Sequence, residues 1–439
     1  TSLRYNNALS NNPVDGGAAF GYDVLGFFLQ DQWRVTPDLE IQYGLRYEKF
    51  SSSDKPVFNQ RFQDRYGFGN QETLDGLDIV MPRFGFNWAV ADATIVRGGV
   101  GLFGGGSPNV WVSNSYSTDG VTVIETFYPG SGSTAPPANV ATAALTNVDG
   151  FTFDQSVLDF HATRPTDGAV NALAPDFEIP SQWRYNLGLE HTFESGWRVN
   201  ADVIYSRVKD EVVWYDARLA QTGTAPDGRP IYGKNPGDTR PFDVQDFVLT
   251  NTGKGEGLVF SLDASKRWDT VAGRFDLFAG YANQDIKDVN SGTSSTASSN
   301  WDNLATEDPN NPKLATSNYE IEHRFTLALN WRKAFFGDYA TSAGLFVQHR
   351  SGRPFSYTFA GGTSAFGDPR QGSRQRHLLY VPLENDPLVT YSSVAFQQAV
   401  NDFIESSGLS AYRGQIAPRN AFFSPWVTTA DLRLAQDAL

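Results

Sequence analysis

The sequence predicts an all-β chain: a transmembrane antiparallel up-and-down β-barrel, seen in part, with long loops on one rim. Three observations carry this. Apolar and polar residues alternate over long runs, very short turns alternate with very long connections, and tryptophans recur beside the short turns. A tilted membrane strand needs about 9–11 residues, whereas soluble strands are commonly about half that.

Along the chain, Tyr22 to Val35 reads as the first strand, followed by a turn at Thr36-Pro37-Asp38, where proline fixes φ and lacks a donor. In Asp38 to Phe50, Leu39, Ile41, Tyr43, Leu45 and Tyr47 share one face, while Gln42, Gly44, Arg46 and Glu48 share the other. Period two over such a length means a strand with one apolar and one polar side. Arg83 to Val90 repeats the pattern with Phe84, Phe86, Trp88 and Val90, and an Ala-Asp-Ala turn leads to Thr94 through Phe103. Gln182 to Phe193 sets Trp183, Tyr185, Leu187 and Leu189 against Arg184, Asn186, Gly188 and Glu190. After Glu194-Ser195-Gly196, Trp197, Val199, Ala201, Val203 and Tyr205 alternate with polar residues. Leu258, Phe260, Leu262 and Ala264 precede a turn near Asp269, and Phe275, Leu277, Ala279 and Tyr281 follow it. Phe325, Leu327, Leu329 and Trp331 lead through Gly337-Asp338 to Ala343, Leu345 and Val347, and Trp426 to Gln436 is the last run. The total is about eleven strands, most of them expected near the ~9–11 residues a tilted membrane strand needs.

The turns near residues 36, 92, 195, 270 and 337 are short, and the stretches 51–81, 104–179, 209–255, 288–318 and 352–424 are long and rich in Gly, Ser, Thr, Asn, Asp and Pro. Short turns on one rim and long loops on the other describe an outer-membrane barrel, and a soluble sandwich has no reason to keep that alternation in phase. Trp33, Trp88, Trp197, Trp268 and Trp331 lie within a few residues of short turns, as an interfacial aromatic girdle requires; the alternative is that they fill a core.

Composition bounds the rest. Cysteine is absent, which excludes disulfides, thiolate metal sites and cysteine nucleophiles. The net charge of −14 opposes a general nucleic-acid role, which would want a basic face. Mean hydropathy is −0.37, and no run approaches the ~18 apolar residues of a membrane helix, yet an alternating barrel also keeps its mean hydropathy low. No leader precedes Thr1, so the expectation is an N-terminus processed or cut away.

Several stretches resemble a known family. FFLQDQWRVTPDLEIQYGLRYE at 27–48, PRFGFNWAV at 82–90 with TIVRGGVGLF at 94–103, and EHRFTLALNWRKAF at 322–335 with HRSGRPFS at 349–356 look like barrel hairpins of TonB-dependent receptors. WVTTADLRLAQD at 426–437 looks like a strand near the C-terminal end of the same barrels. The likeness is nearest to the Oar-like, OmpA-related subgroup and covers the strands rather than the long loops. It implies a single barrel-domain fragment over residues 1–439, about half of a barrel of about 22 strands, with the plug domain, the TonB box and the closing strand outside it. An open half-barrel leaves unpaired edges, which are costly in lipid.

No catalytic constellation stands out, and no cofactor is expected. Gly99 to Gly104 fits GxGxxG, but Gly105, Gly106, Ser107 and Pro108 follow where a helix would be needed; glycine relieving crowding in a coiled strand is the better reading. The five histidines, at 161, 191, 323, 349 and 377, form no metal pair at helical spacing. Asp302 to Asn311 has oxygen ligands for Ca²⁺ but not the EF-hand spacing, so a solvated loop is expected. The inward faces carry Arg46, Glu48, Arg97, Arg184, Glu190, Arg198, Asp202, Asp263 and Asp276. These are expected to pair inside a wet lumen, and are candidates for contact with a plug or a passing ligand. The loop aromatics Trp111, Tyr116, Phe127, Tyr128, Trp214, Tyr215 and Trp301 either bind ligand or close loops onto one another.

The resemblance implies TonB-dependent uptake of an extracellular ligand through a plugged barrel in the Gram-negative outer membrane. Short turns would be periplasmic and long loops extracellular. The partners implied are outer-membrane lipid, the protein's own plug, and the TonB complex reached through the missing N-terminal region. The alternative is an adhesion protein that uses its long loops. A soluble all-β enzyme would instead show strands of about five residues and no consistent apolar face.

Overall fold

The computed structural model describes residues 3–105, 109–128, 155–163, 166–240, 244–359, 366–368 and 376–437. Eleven strands follow one another in a single antiparallel wall, each hydrogen-bonded to the next in chain order. They are β1 (Asp23–Thr36), β2 (Leu39–Ser51), β3 (Asp78–Ala91), β4 (Thr94–Gly104), β5 (Ser181–Thr192), β6 (Trp197–Asp216), β7 (Glu256–Thr270), β8 (Gly273–Asp288), β9 (His323–Phe336), β10 (Tyr339–Arg350) and β11 (Val427–Gln436). Among the described residues β1 and β11 are paired on one side only, so the wall is an open sheet.

Period two in the sequence becomes two-facedness here. Register sets Trp33 opposite Ile41, Ile41 opposite Phe86, Phe86 opposite Gly98, Gly98 opposite Leu187, and Leu187 opposite Val203. The row is one face, because successive strands in register keep the same side. Its bulky members are bare: Leu29 is 79% exposed, Leu187 57% and Leu434 73%. Among the described residues no second sheet or helix layer packs over them. Soluble monomers rarely show an apolar surface this extensive. Hydrocarbon supplies the missing neighbour, and each large side chain so covered contributes roughly 1.5–3 kcal/mol. Asp31 is a polar exception on this face, and the Tyr43 hydroxyl donates to it at 2.8 Å.

The five tryptophans near the short turns all lie on this apolar face. Trp268, Phe275 and Trp331 share one register row, and the Trp268 and Phe275 rings stack at 5.4 Å. The short turns fall where the sequence puts them, with one shift. The turn expected near Asp269 sits at Val271–Ala272, because Asp269 is still paired with Arg274. The glycine run lies in β4 as strand rather than nucleotide loop; a Cβ on Gly98 would meet the Phe86 ring at 2.6 Å.

Two expectations need correction. The strands run from 10 to 20 residues rather than clustering near the membrane minimum. The longest, β6, extends because its end pairs with the loop strand Asp246–Thr252, which pairs in parallel with Val170–Leu173. The second concerns Asp302 to Asn311, which is packed rather than solvated. Asp302 and Thr306 are buried, and Asn310 Oδ1 accepts from the Asp216 amide (2.9 Å) and from Trp301 Nε1 (3.1 Å).

The long connections form a layer with its own cores. Trp301, Trp214, Phe247, Leu249, Leu173, Val112 and Phe50 share one apolar cluster. Phe62, fully buried on the short helix Gln60–Tyr66, anchors another with Val170, Ala172 and Val248. Asn59 caps that helix by accepting from the Phe62 amide at 3.0 Å.

Candidate ligand-facing wall and loop layer

Every inward-facing charge singled out in the sequence lies on the face opposite the apolar rows. Four of them meet. Arg97 Nη2 donates to both carboxylate oxygens of Asp202 at 2.9 Å, Arg97 Nη1 lies 3.6 Å from Glu190, and Arg198 Nη2 donates to Glu190 at 2.5 Å. Asp263 lies beside them, accepting at 2.8 Å from the amide of Asn200, which sits opposite Glu190 in register. Gly188 makes room for this network, since a Cβ there would lie 2.3 Å from Asp202 Oδ1. The others stand apart. Arg46 pairs with Glu48 at 2.5 Å, Asp276 pairs with Arg267, and Arg184 lies over the Phe103 ring at 5.8 Å. The face is not uniformly polar, because Phe28, Ile204, Phe278 and Phe346 share its parity.

The loop aromatics close the loop layer. Trp111 donates to the Ser294 carbonyl at 2.9 Å and meets Trp214 edge-on at 5.3 Å. Tyr116 stacks on Phe20 at 4.2 Å, and Trp301 is 1% exposed. Tyr215 packs against the Phe62 cluster. The Phe127 and Tyr128 side chains lie outside the described residues. His323 and His349 sit on the apolar face at the loop-side rim, stacked on Trp426 at 5.8 and 4.7 Å.

Within the long connections lies a buried ionic network that the sequence did not reveal. Arg240 forks onto Asp246 (2.5 and 3.1 Å) and donates to Asp238 (2.9 Å), which also accepts from Arg218 at 2.7 Å. The Tyr66 hydroxyl donates to Asp246 at 2.7 Å. Burial pushes the Asp238 carboxyl up, but the hydrogen bonds from Arg240 and Arg218 outweigh it and hold it well below the usual range. Among the described residues Asp216 has no such cation bond and its Oδ2 has no partner; burial, helped by the Asp246 charge, pushes it up to about 7.

Above the wall, the loops enclose a polar cavity of about 610 Å³ whose lining includes Asn290, Asn303, Asn318, Ser356, Arg376 and Arg419. Arg419 donates to Asp288 Oδ1 at 2.8 Å, while its Nη1 is buried without a partner among the described residues. Sequence reasoning also passed over Arg324 and Arg350, which face inward directly opposite one another. Their signal was present: the parity set by Phe325 and Val347 already points them inward.

The profile of the outer membrane beta barrel domain family matches residues 4–438. The chain belongs to the outer membrane β-barrel domain family. Its place is therefore the outer membrane, and the bare apolar face of this β-barrel is its lipid-facing surface. Comparison with curated proteins finds no match. Among solved structures, the β-barrel is similar to the outer membrane transporter YddB from Escherichia coli, with a TM-score of 0.44 and 11% identity over 78% of this chain and 35% of that one. It is also similar to the siderophore receptor PirA from Pseudomonas aeruginosa, with a TM-score of 0.35 and 11% identity over 77% of this chain and 43% of that one. A copper transporter, OprC, matches with a TM-score of 0.37 and 11% identity over 80% of this chain and 38% of that one. The chain thus spans less than half the length of each.

Proposed function

We propose that this β-barrel is the wall and loop layer of a TonB-dependent receptor of the Oar-like, OmpA-related kind, which recognises an extracellular ligand and passes it inward without making or breaking a bond. One observation carries the reading: a lipid-facing wall whose other face holds paired charges, roofed by loops that have their own packed cores. A bare pore would not need such a roof, whereas a receptor must present a defined surface to its ligand. In this reading the long loops are extracellular and the short turns periplasmic. The Arg97–Glu190–Arg198–Asp202 network and Asp263 sit on the short-turn half of the wall, where a plug would rest. Arg46, Glu48, Arg184 and Asp276 are the remaining candidates for plug or ligand contact.

The test uses the full-length protein in its native host. It should fractionate with outer membranes, shift in gel mobility on boiling, and support ligand uptake that stops when TonB is deleted. Recovery from the soluble fraction would end the proposal, and uptake that persists without TonB would remove its energy source. The adhesion alternative is favoured by one feature: Val394, Phe396 and Phe403 are exposed on the loop helix Val394–Ser407. Cell-surface binding that survives TonB deletion, with no uptake in either strain, would select it.

A further inference from the structure

Inside the wall, Arg46, Arg97, Arg198 and Arg267 each hold a carboxylate. Arg324 and Arg350 do not. They lie directly opposite each other across β9 and β10, half-buried, and neither guanidinium has an ion-pair or hydrogen-bond partner among the described residues. Like charges directly opposite on a sheet repel. The same register row reaches its first carboxylate at Asp202, through Ala282 and Ser261. That is three strands away, about 14 Å at ~4.8 Å per strand, and Arg97 already neutralises it. One register step toward the short turns, the row Thr326–Gln348–Thr429 offers neutral hydroxyl and amide donors.

Two arginines held opposite each other with no carboxylate bonded to either among the described residues, beside neutral donors, describe a place made for an oxyanion. The rest of this region agrees. The chain leaves β10 at Arg350 and enters the cavity lining at Pro354. The cavity adds Arg376, whose side chain has no partner among the described residues, and the buried Nη1 of Arg419, likewise unpartnered among them. Its asparagine and serine lining suits a hydroxyl-rich molecule.

We propose that Arg324 and Arg350, with Thr326, Gln348 and Thr429, form an anion site on the inner wall that receives the carboxylate or phosphate group of a hydroxylated ligand passing through the cavity above. The proposal rests on the receptor reading and names its ligand class.

The experiment uses full-length protein extracted from outer membranes in a non-ionic detergent. Thermal unfolding is followed by loss of the heat-modifiable gel form, in inorganic phosphate and in chloride at equal ionic strength. Phosphate should raise the wild-type midpoint saturably. The R324Q/R350Q variant should melt higher than wild type in chloride, because the repulsion is gone, and should bind phosphate about tenfold or more weakly. A purely structural role for the arginines predicts the opposite shift in chloride. Acetate serves as a second arm. A matching response marks a carboxylate ligand and a response to phosphate alone marks a phosphoryl one, and either supports the site. No phosphate response in wild type, an equal response in the variant, or a variant that melts lower in chloride overturns it. Protein that fractionates with outer membranes yet fails these tests sinks the anion site alone; soluble fractionation sinks the receptor reading beneath it.

Discussion

Asp216 gives the loop layer a pH dependence whose sign can be worked out. The carboxyl lies at the end of β6, outside the membrane-spanning part. Its Oδ1 accepts from the amides of Arg218 (3.0 Å) and Asp246 (3.3 Å), and its Oδ2 is buried without a partner among the described residues. Burial raises its pKa from the ordinary 3.8 to about 7. Between those values the folded layer holds a proton that the unfolded chain has released. Stability therefore falls as pH rises through this window; the loss is absent below the lower value and complete above the upper one. The span from 3.8 to about 7, at about 1.4 kcal/mol per pH unit, sets the scale on the order of 4 kcal/mol. Asp238, held low by its arginines, works the other way, but only below this window. Glu211, raised by burial, adds in the same direction as Asp216, so a variant is needed to separate them.

That variant is Asp216→Asn, which keeps an acceptor for both amides and cannot ionise. Hydrogen exchange of peptides covering Val212–Asp216 and Asp246–Leu249, corrected for intrinsic rates, should lose protection between pH 5 and pH 8 in wild type, while D216N stays nearly flat. Equal pH dependence in the two proteins would refute the assignment. So would protection that rises with pH.

Three further outcomes follow from the packing. Trp301→Ala removes a 1%-exposed ring and the hydrogen bond to Asn310, and should destabilise the loop layer by about 3–5 kcal/mol, read as faster proteolysis of the loops with the wall still heat-modifiable. Leu187→Arg on the lipid-facing surface should cost roughly 2–4 kcal/mol, while Asn186→Arg, its neighbour on the inner face, should cost far less; refolding titrations in lipid vesicles compare them. Gly188→Val drives a side chain into the Arg97–Asp202 pair and should lower the heat-modifiable fraction, whereas Gly257→Val, whose nearest neighbour would be an Ile286 side chain at 3.6 Å, should leave it unchanged.

The wall was legible in the sequence because its rules are local. Side-chain parity is set by the strand itself, and a short turn carries that parity into the next strand, so Tyr43, Phe84 and Tyr185 could be assigned to one face without knowing any distance. The paired charges followed from the same parity. What parity alone does not supply is the pairing of one residue with another. Arg324 and Arg350 were both visible as inward residues, but their opposition appears only when the Gly337–Asp338 turn is used to count the register between them. The loop layer was illegible for a different reason. Phe62 packs on Val170 and Val248, and Trp301 on Phe247, so its cores join segments far apart in sequence and no period announces them. Composition misled there: Asp302 to Asn311 has the residues of a solvated loop, yet its polar groups are spent on buried backbone and on Trp301.

These two kinds of order have separate energetic sources. The wall's outward side chains contribute only when hydrocarbon covers them, so its stability depends on the membrane. The loop layer buries Trp301, Phe62 and Val248 against protein and closes its charges among Arg218, Asp238, Arg240 and Asp246, so most of its stability is internal. One continuous element that joins the two is β6, whose first half pairs in the wall and whose last residues, Glu211–Asp216, pair in the loop layer. A change of charge at Asp216 therefore acts on the strand that joins the two. That strand also carries Arg198 and Asp202, members of the inner-wall network, so the buried acid of the roof and the paired charges of the wall are mechanically linked along one backbone.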